Sequence, residues 1–137
     1  MKKIVGTILL IKIMNKNKFK FWNPQTQSFV QNYRYNGYVD QLFEPDPILR
    51  PKQFLGIYDK NMQEVYEGDV VKFDTIRFTN LIGVIRYSVD YCAYVIDHND
   101  GIEHIWKTNI DSLEIVGNIM KDYIWNEEGE LIKYERP

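Results

Sequence analysis

The chain has 137 residues, 45% of them hydrophobic and 15% aromatic, with a formal net charge of −2 and one cysteine. That length suits one domain, or one barrel with an attached sheet, and the many rings favour strands. The charge gives no basic footprint for nucleic acid and is too small for a carboxylate-coated DNA mimic, while lone Cys92 excludes an internal disulfide and a thiolate metal site and fits a reducing cytoplasm.

Met1-Lys2-Lys3 followed by Ile4 to Ile13 reads like the basic and apolar parts of a signal peptide. Lys12 interrupts the run, no small-residue cleavage site follows, and a membrane span needs about 20 apolar residues. No membrane association is expected. Residues 1–13 read either as a leader ahead of a start at Met14 or as an extra strand, and both readings stay open. Phe19 and Phe21 alternate with Lys18 and Lys20, Asn23-Pro24 starts a turn, and Ser28 to Val30 returns as a partner strand.

Residues 31–53 break this rhythm. Glu44-Pro45-Asp46-Pro47 suits neither helix nor central strand, because each proline lacks a donor and restricts its predecessor. A long loop is expected there, extending through Pro51. Loop tyrosines offer contact area at low entropy cost, so Tyr33, Tyr35 and Tyr38 make this loop the preferred contact for a partner protein.

Phe54–Tyr58 and Glu64–Tyr66 read as a hairpin around a turn at Asp59-Lys60-Asn61. Gly56 and Asp59 belong to its turn chemistry, and Glu67-Gly68-Asp69 forms a tight bend. Five strands follow: Val70–Asp74, Leu81–Ser88, Tyr91–Asn99, Ile102–Trp106 and Leu113–Ile119. Asp100-Gly101 reads as a two-residue hairpin turn, and Thr108-Asn109-Ile110 as one tight helical turn. The pattern is that of a small SH3-like five-stranded barrel over 67–120, whose closure would remove free edges. It follows N-terminal hairpins and the proline loop over 14–66. A terminal hairpin over 121–137, with Gly129 in its turn, completes a mostly β chain.

Several groups invite a chemical reading. With Asp100-Gly101 as the turn, Asp97 would face His104 and His98 would face Glu103, on opposite sides of the ribbon. The imidazoles would diverge, and two cross-strand polar pairs would account for them without a metal. Glu64, Glu67 and Asp69 could in principle do acid–base work, yet Gly68 and Asp69 are where a bend needs them. Cys92, inside a strand, reads as a small buried hydrophobe. No catalytic residue, metal or cofactor is expected, and the chain reads as a non-enzyme. Tyr87, Tyr91, Tyr94 and Trp106 fall around one turn and the next strand. They either fill the core or form an exposed surface that stacks bases or anchors a peptide.

Phe54-Leu55-Gly56-Ile57-Tyr58-Asp59-Lys60-Asn61 and Glu64-Val65-Tyr66-Glu67-Gly68-Asp69-Val70-Val71-Lys72 resemble the recurring "TGLKDKNGKEIYEGDIVK"-like stretch of YopX-type proteins. Phe19-Lys20-Phe21-Trp22-Asn23 is similar to that family's "KFRAWD" opening, Gly83-Val84-Ile85-Arg86-Tyr87 to its "GVVEY" strand, and Leu113 to Ile119 to its "IEVIGNIYEN" close. Asn23, Leu55 and Met62 stand where the family prefers Asp, Thr and Gly. The resemblance implies a phage or prophage origin in a Gram-positive host, a cytoplasmic location and no defined activity, and it admits homo-oligomers. The first functional reading is therefore an accessory, non-catalytic binding module for a host or phage protein. A nucleic-acid-binding barrel is the alternative, disfavoured by the net charge. An enzyme using the carboxylates and histidines comes last.

Overall fold

The computed structural model describes residues 18–30 and 49–134. Residues 1–13 and the loop tyrosines Tyr33, Tyr35 and Tyr38 lie outside the described residues. The described chain is mostly β, in three antiparallel sheets.

The first sheet has the order β2-β1-β3-β4, with β1 at Phe19–Asn23, β2 at Ser28–Phe29, β3 at Arg50–Tyr58 and β4 at Glu64–Tyr66. Asn23 closes the β1–β2 turn: its Oδ1 accepts the Gln25 N–H at 2.9 Å and the Thr26 N–H at 3.3 Å. An amide serves here as well as a carboxylate would, because the turn uses only an acceptor. Residues 50–53, the last four of the expected loop, belong to β3. Pro51 lies inside β3, paired with Phe21 of β1. β4 joins β3 only from Phe54 onward, so Pro51 lies where β3 has one described neighbour and its missing donor breaks no ladder bond. Gly56 sits within β3, not in a turn. Its φ of +81° falls where the β3–β4 register slips between Phe54 and Tyr58, a bulge that favours a residue without Cβ.

The second sheet has the order β8-β7-β6-β5-β9 and curls into a half-barrel, which fits a small β-barrel. Its strands are β5 Asp69–Phe73, β6 Leu81–Ser88, β7 Ala93–His98, β8 Gly101–His104 and β9 Glu114–Asn118. A four-residue helix, α1 at Lys107–Ile110, joins β8 to β9. β8 and β9 are the sheet's two ends and do not pair, so the closure expected of a full barrel is not made. The terminal hairpin, β10 Tyr123–Trp125 with β11 Leu131–Lys133, forms as expected around Gly129 at φ +78°.

The core lies between the first sheet and the inner face of the curl. Val65 of β4 packs with Val71, Phe73, Ile85, Ile96 and Leu113, flanked by Leu55, Ile57, Tyr94, Ile110 and Ile115. Alternation places Val71, Phe73, Ile85 and Ile96 on one face, as period-2 patterning requires. Burial of such side chains is worth about 1.5–3 kcal/mol each relative to exposure.

Two aspartates join the layers. Asp59, 3% exposed, accepts the Asn61 and Gln63 amides on Oδ1 and the Ile115 amide of β9 on Oδ2. The Lys60 N–H adds a bond to the Leu113 carbonyl at 2.7 Å. The β3–β4 turn thereby covers the outer edge of β9. Asp69, also 3% exposed, accepts the Tyr66 amide and the Asn118 side-chain amide. Gly68 beside it has φ +90°, donates its N–H to Ile85 O and accepts the Ile119 N–H. Lys20 Nζ approaches Asp69 at 3.9 Å and lies 4.4 Å and 4.6 Å from the Phe29 and Tyr66 ring centroids. The cation is held by two rings and a carboxylate together.

Candidate interaction surface

β8 takes its position from the short turn before it and the helix after it. The turn is Asn99-Asp100, because His98 pairs with Gly101. Gly101, at φ +131°, is the first residue of the strand. Two bonds favour this register over the expected Asp100-Gly101 turn. The Asp100 N–H donates to His98 Nδ1 at 3.3 Å, and Asn99 Oδ1 accepts the Leu131 N–H of the terminal hairpin at 3.0 Å.

The shift changes the expected polar pairs. Asp97 faces Ile102, not His104, and takes Arg86 Nε at 2.7 Å instead. Glu103 stays near His98 diagonally, at 3.7 Å from Nε2. That nitrogen is buried without a hydrogen-bond partner. Val95 faces His104 and Ile96 faces Glu103, so His98 and His104 still lie on opposite faces. Among the described residues, no three of His, Cys, Asp and Glu are grouped to hold a metal ion.

Asn109 fixes the far end of β8. It is 2% exposed, its Oδ1 accepts the Trp106 N–H at 3.0 Å, and its Nδ2 donates to the His104 carbonyl at 2.9 Å. A side chain in the first helical turn reaching back to the preceding amide is half of a capping box. Here it also aims Trp106, whose side chain is 60% exposed. His104 lies beside it, with ring centroids 5.6 Å apart, and Tyr91 meets the other side of His104 edge-on at 4.6 Å.

Trp106 also borders a groove of about 430 Å³. The wall from β8 and α1 carries Glu103, Trp106 and Asn109, and the β5–β6 loop supplies Thr75, Ile76, Arg77 and Phe78. Thr75 braces that loop: its Oγ1 accepts the Phe78 N–H, and its own N–H donates to Phe78 O at 2.7 Å. Ile76 and Phe78 are 92% and 61% exposed. Contiguous exposed apolar side chains rimmed by polar ones mark an interaction site more often than chance.

The four expected aromatics fall into two groups. Tyr91 and Trp106 share the His104 ladder. Tyr87 and Tyr94 pair on the inner face at 5.3 Å, edge to face. The Tyr94 hydroxyl donates to Gln53 Oε1 at 2.8 Å. Burial, with help from the Glu67 carboxylate and Tyr87, pushes its phenol up to about 12. Tyr94 packs against the core, while Tyr87 stays half exposed.

Cys92 is exposed at φ +52°, not buried in a strand. β7 starts one residue later, after a turn tied by the Cys92 N–H to Val89 O and the Tyr91 N–H to Ser88 Oγ. The Glu64 and Asp69 carboxylates have separate structural tasks, and Glu67 is tied through its backbone. Glu64 pairs with Lys18 at 2.8 Å, and the Glu67 N–H donates to Gln53 O. Burial raises the Asp69 carboxyl, opposed by its bonds to the Tyr66 amide and Asn118 and by Lys20. Burial together with Glu64 raises the Tyr66 phenol far above its ordinary value.

Ile76, Arg77 and Phe78 were not singled out from sequence, Glu103 was named only as the partner of His98, and Asn109 only as part of a helical turn. A signal for part of the groove was present: Ile76 and Phe78 are large apolar residues inside a connection that should be polar.

A family model described as YopX protein matches residues 4–122. No curated protein matches the chain. Among the described residues, no helix is long and apolar enough to cross a membrane.

Proposed function

This chain belongs to the YopX protein family, and from that premise we propose that it is a phage- or prophage-encoded accessory protein of the bacterial cytoplasm, acting as a non-catalytic binding module for a host or phage protein. One observation carries this reading: Ile76, Phe78 and Trp106 border a groove beside a strand edge that no described strand pairs. Rings and large aliphatic side chains exposed together keep apolar area in contact with water, and an incoming protein surface would remove it. Trp is also among the residues that most often dominate interface energy.

The test is affinity capture from host lysate with the full chain, beside a Trp106→Ala, Phe78→Ala double variant. A protein enriched by the wild type and lost from the variant supports the reading. Equal recovery by both removes this surface from the function.

A nucleic-acid reading keeps one observation in its favour, the exposed Tyr91–His104–Trp106 ladder, since bases stack on such rings. The net charge of −2 opposes it. A single-stranded oligonucleotide that quenches Trp106 at low ionic strength, with loss of the effect in added salt, would favour it over protein binding.

A further inference from the structure

Resting on the reading that this surface binds a protein, we infer that the groove takes an extended segment carrying one Lys or Arg, its cation seated between Trp106 and Glu103 and its backbone added as a strand along β8.

The backbone supplies the first half. In a two-residue hairpin closed by His98 and Gly101, that pair and the pair Ile96–Glu103 exchange ladder bonds, so Ile102 and His104 direct their N–H and C=O groups away from β7. The His104 carbonyl bears this out, since it is taken on the outer side by Asn109 Nδ2. Among the described residues, the Ile102 N–H and C=O and the His104 N–H have no hydrogen-bond partner. Three free groups in extended register are what strand addition uses. At the opposite end of the sheet the Ile115 N–H is taken by Asp59, and the Leu113 carbonyl just before β9 by the Lys60 N–H.

The side chains supply the second half. Glu103 lines the groove, and His98 Nε2 lies 3.7 Å from its carboxylate. Among the described residues, no lysine or arginine ion pair to it is formed. A carboxylate beside an exposed indole and Phe78 attracts a cation by charge and by the ring quadrupoles. The molecule already satisfies the same chemistry internally: Lys20 lies against the Phe29 and Tyr66 rings beside the Asp69 carboxylate. In the groove, two rings and a carboxylate border open space. Arg77 on the loop wall repels a run of positive charge, which selects one basic residue among apolar or acidic neighbours over a polybasic tract.

The probe is a library of capped octapeptides of β-forming composition. Each has one fixed position bearing Arg, Lys, Glu or Leu, and binding to the full chain is read by fluorescence anisotropy. The expected result is selection of Arg or Lys over Glu and Leu, with about tenfold weaker binding for Glu103→Gln and for Trp106→Ala. Ile102→Pro removes an outward N–H that β7 does not use, so it should abolish binding while leaving the thermal midpoint near wild type. Should that variant not fold, amide exchange at Ile102 and His104 reads the same contact, and both amides should slow when peptide is added. Binding without preference for a basic residue, but lost in Trp106→Ala, overturns the inference and leaves the protein-binding reading standing. Failure of every peptide to bind overturns the inference, and the lysate capture then decides the broader reading separately. A wild-type dimer made monomeric by Ile102→Pro would place a second copy in the groove and also overturn it.

Discussion

The two ends of the curled sheet are built alike and finished differently. β8 and β9 are short strands, each paired on one side only. At β9 a buried carboxylate and a backbone amide from the β3–β4 turn occupy the outward groups, and the end joins the core through Leu113 and Ile115. At β8 one carbonyl is occupied, by Asn109, and the neighbouring side chains are exposed rings. An edge is a hazard unless blocked, shortened or used. This protein blocks one end and keeps the other short and available. On the proposed reading the blocked end serves stability and the open end recognition, a division that substitutions can test.

The largest effect is expected at the blocked end. Asp59→Ala leaves three amides without their acceptor and should cost about 3 kcal/mol in denaturant unfolding, with faster exchange at the Ile115 amide. Unchanged exchange there would mean that the turn does not hold β9. At the open end, Asn109→Ala removes the reach-back bond and the β8 bond for about 1–2 kcal/mol. Its distinguishing sign is a change in the Trp106 indole resonance; a loss of stability without that change would separate Asn109 from the aromatic surface. A gain is expected from Met62→Gly, since Met62 holds φ +63° in the turn that covers β9. Releasing a bulky residue from the left-handed region should raise stability by up to about 1 kcal/mol, read as a higher denaturation midpoint.

The smallest effect lies away from both ends. The Tyr94 phenol is raised in the folded protein to about 12, so its contribution to stability is full below the ordinary tyrosine value and is lost as pH rises toward 12. Tyr94→Phe should flatten that alkaline decline. An equally steep decline in the variant would assign it to other groups.

Much of the strand plan was legible because it rests on local chemistry. Leu81–Ser88 is a short apolar run bounded by turn residues, Gly68 and Gly129 mark bends by the φ they permit, and Asn109 lies in a four-residue helix close to where one tight turn was expected. The resemblance to YopX-type proteins was legible for the same reason: its long central stretch spells a hairpin and a bend. The register of β7 with β8 was not legible, because Asn99-Asp100 and Asp100-Gly101 are both good turns. The choice rests on a bond from Leu131, which lies 32 positions away from Asn99. Cys92 was misplaced by one residue at a strand start, where the pattern Tyr-Cys-Ala has no punctuation. The candidate surface was half legible. Tyr91 and Trp106 stood out as rings, while Glu103, Phe78 and Arg77 gain meaning only when a loop and a strand from separate parts of the chain face each other.

The corner around Asp69 has a further consequence for how the chain assembles. Its carboxylate takes one partner from three residues away, Tyr66, and another, Asn118, from 49 residues away. Lys20 arrives from a comparable distance on the other side. Closing loops of that length is paid in chain entropy before the contacts return anything, which slows the search. The bend can form early and alone, but its charge is matched only when both flanks of the chain have arrived. Lys20→Met and Asn118→Ala should therefore speed unfolding while leaving refolding rates near wild type, making this corner the clasp that the last step fastens.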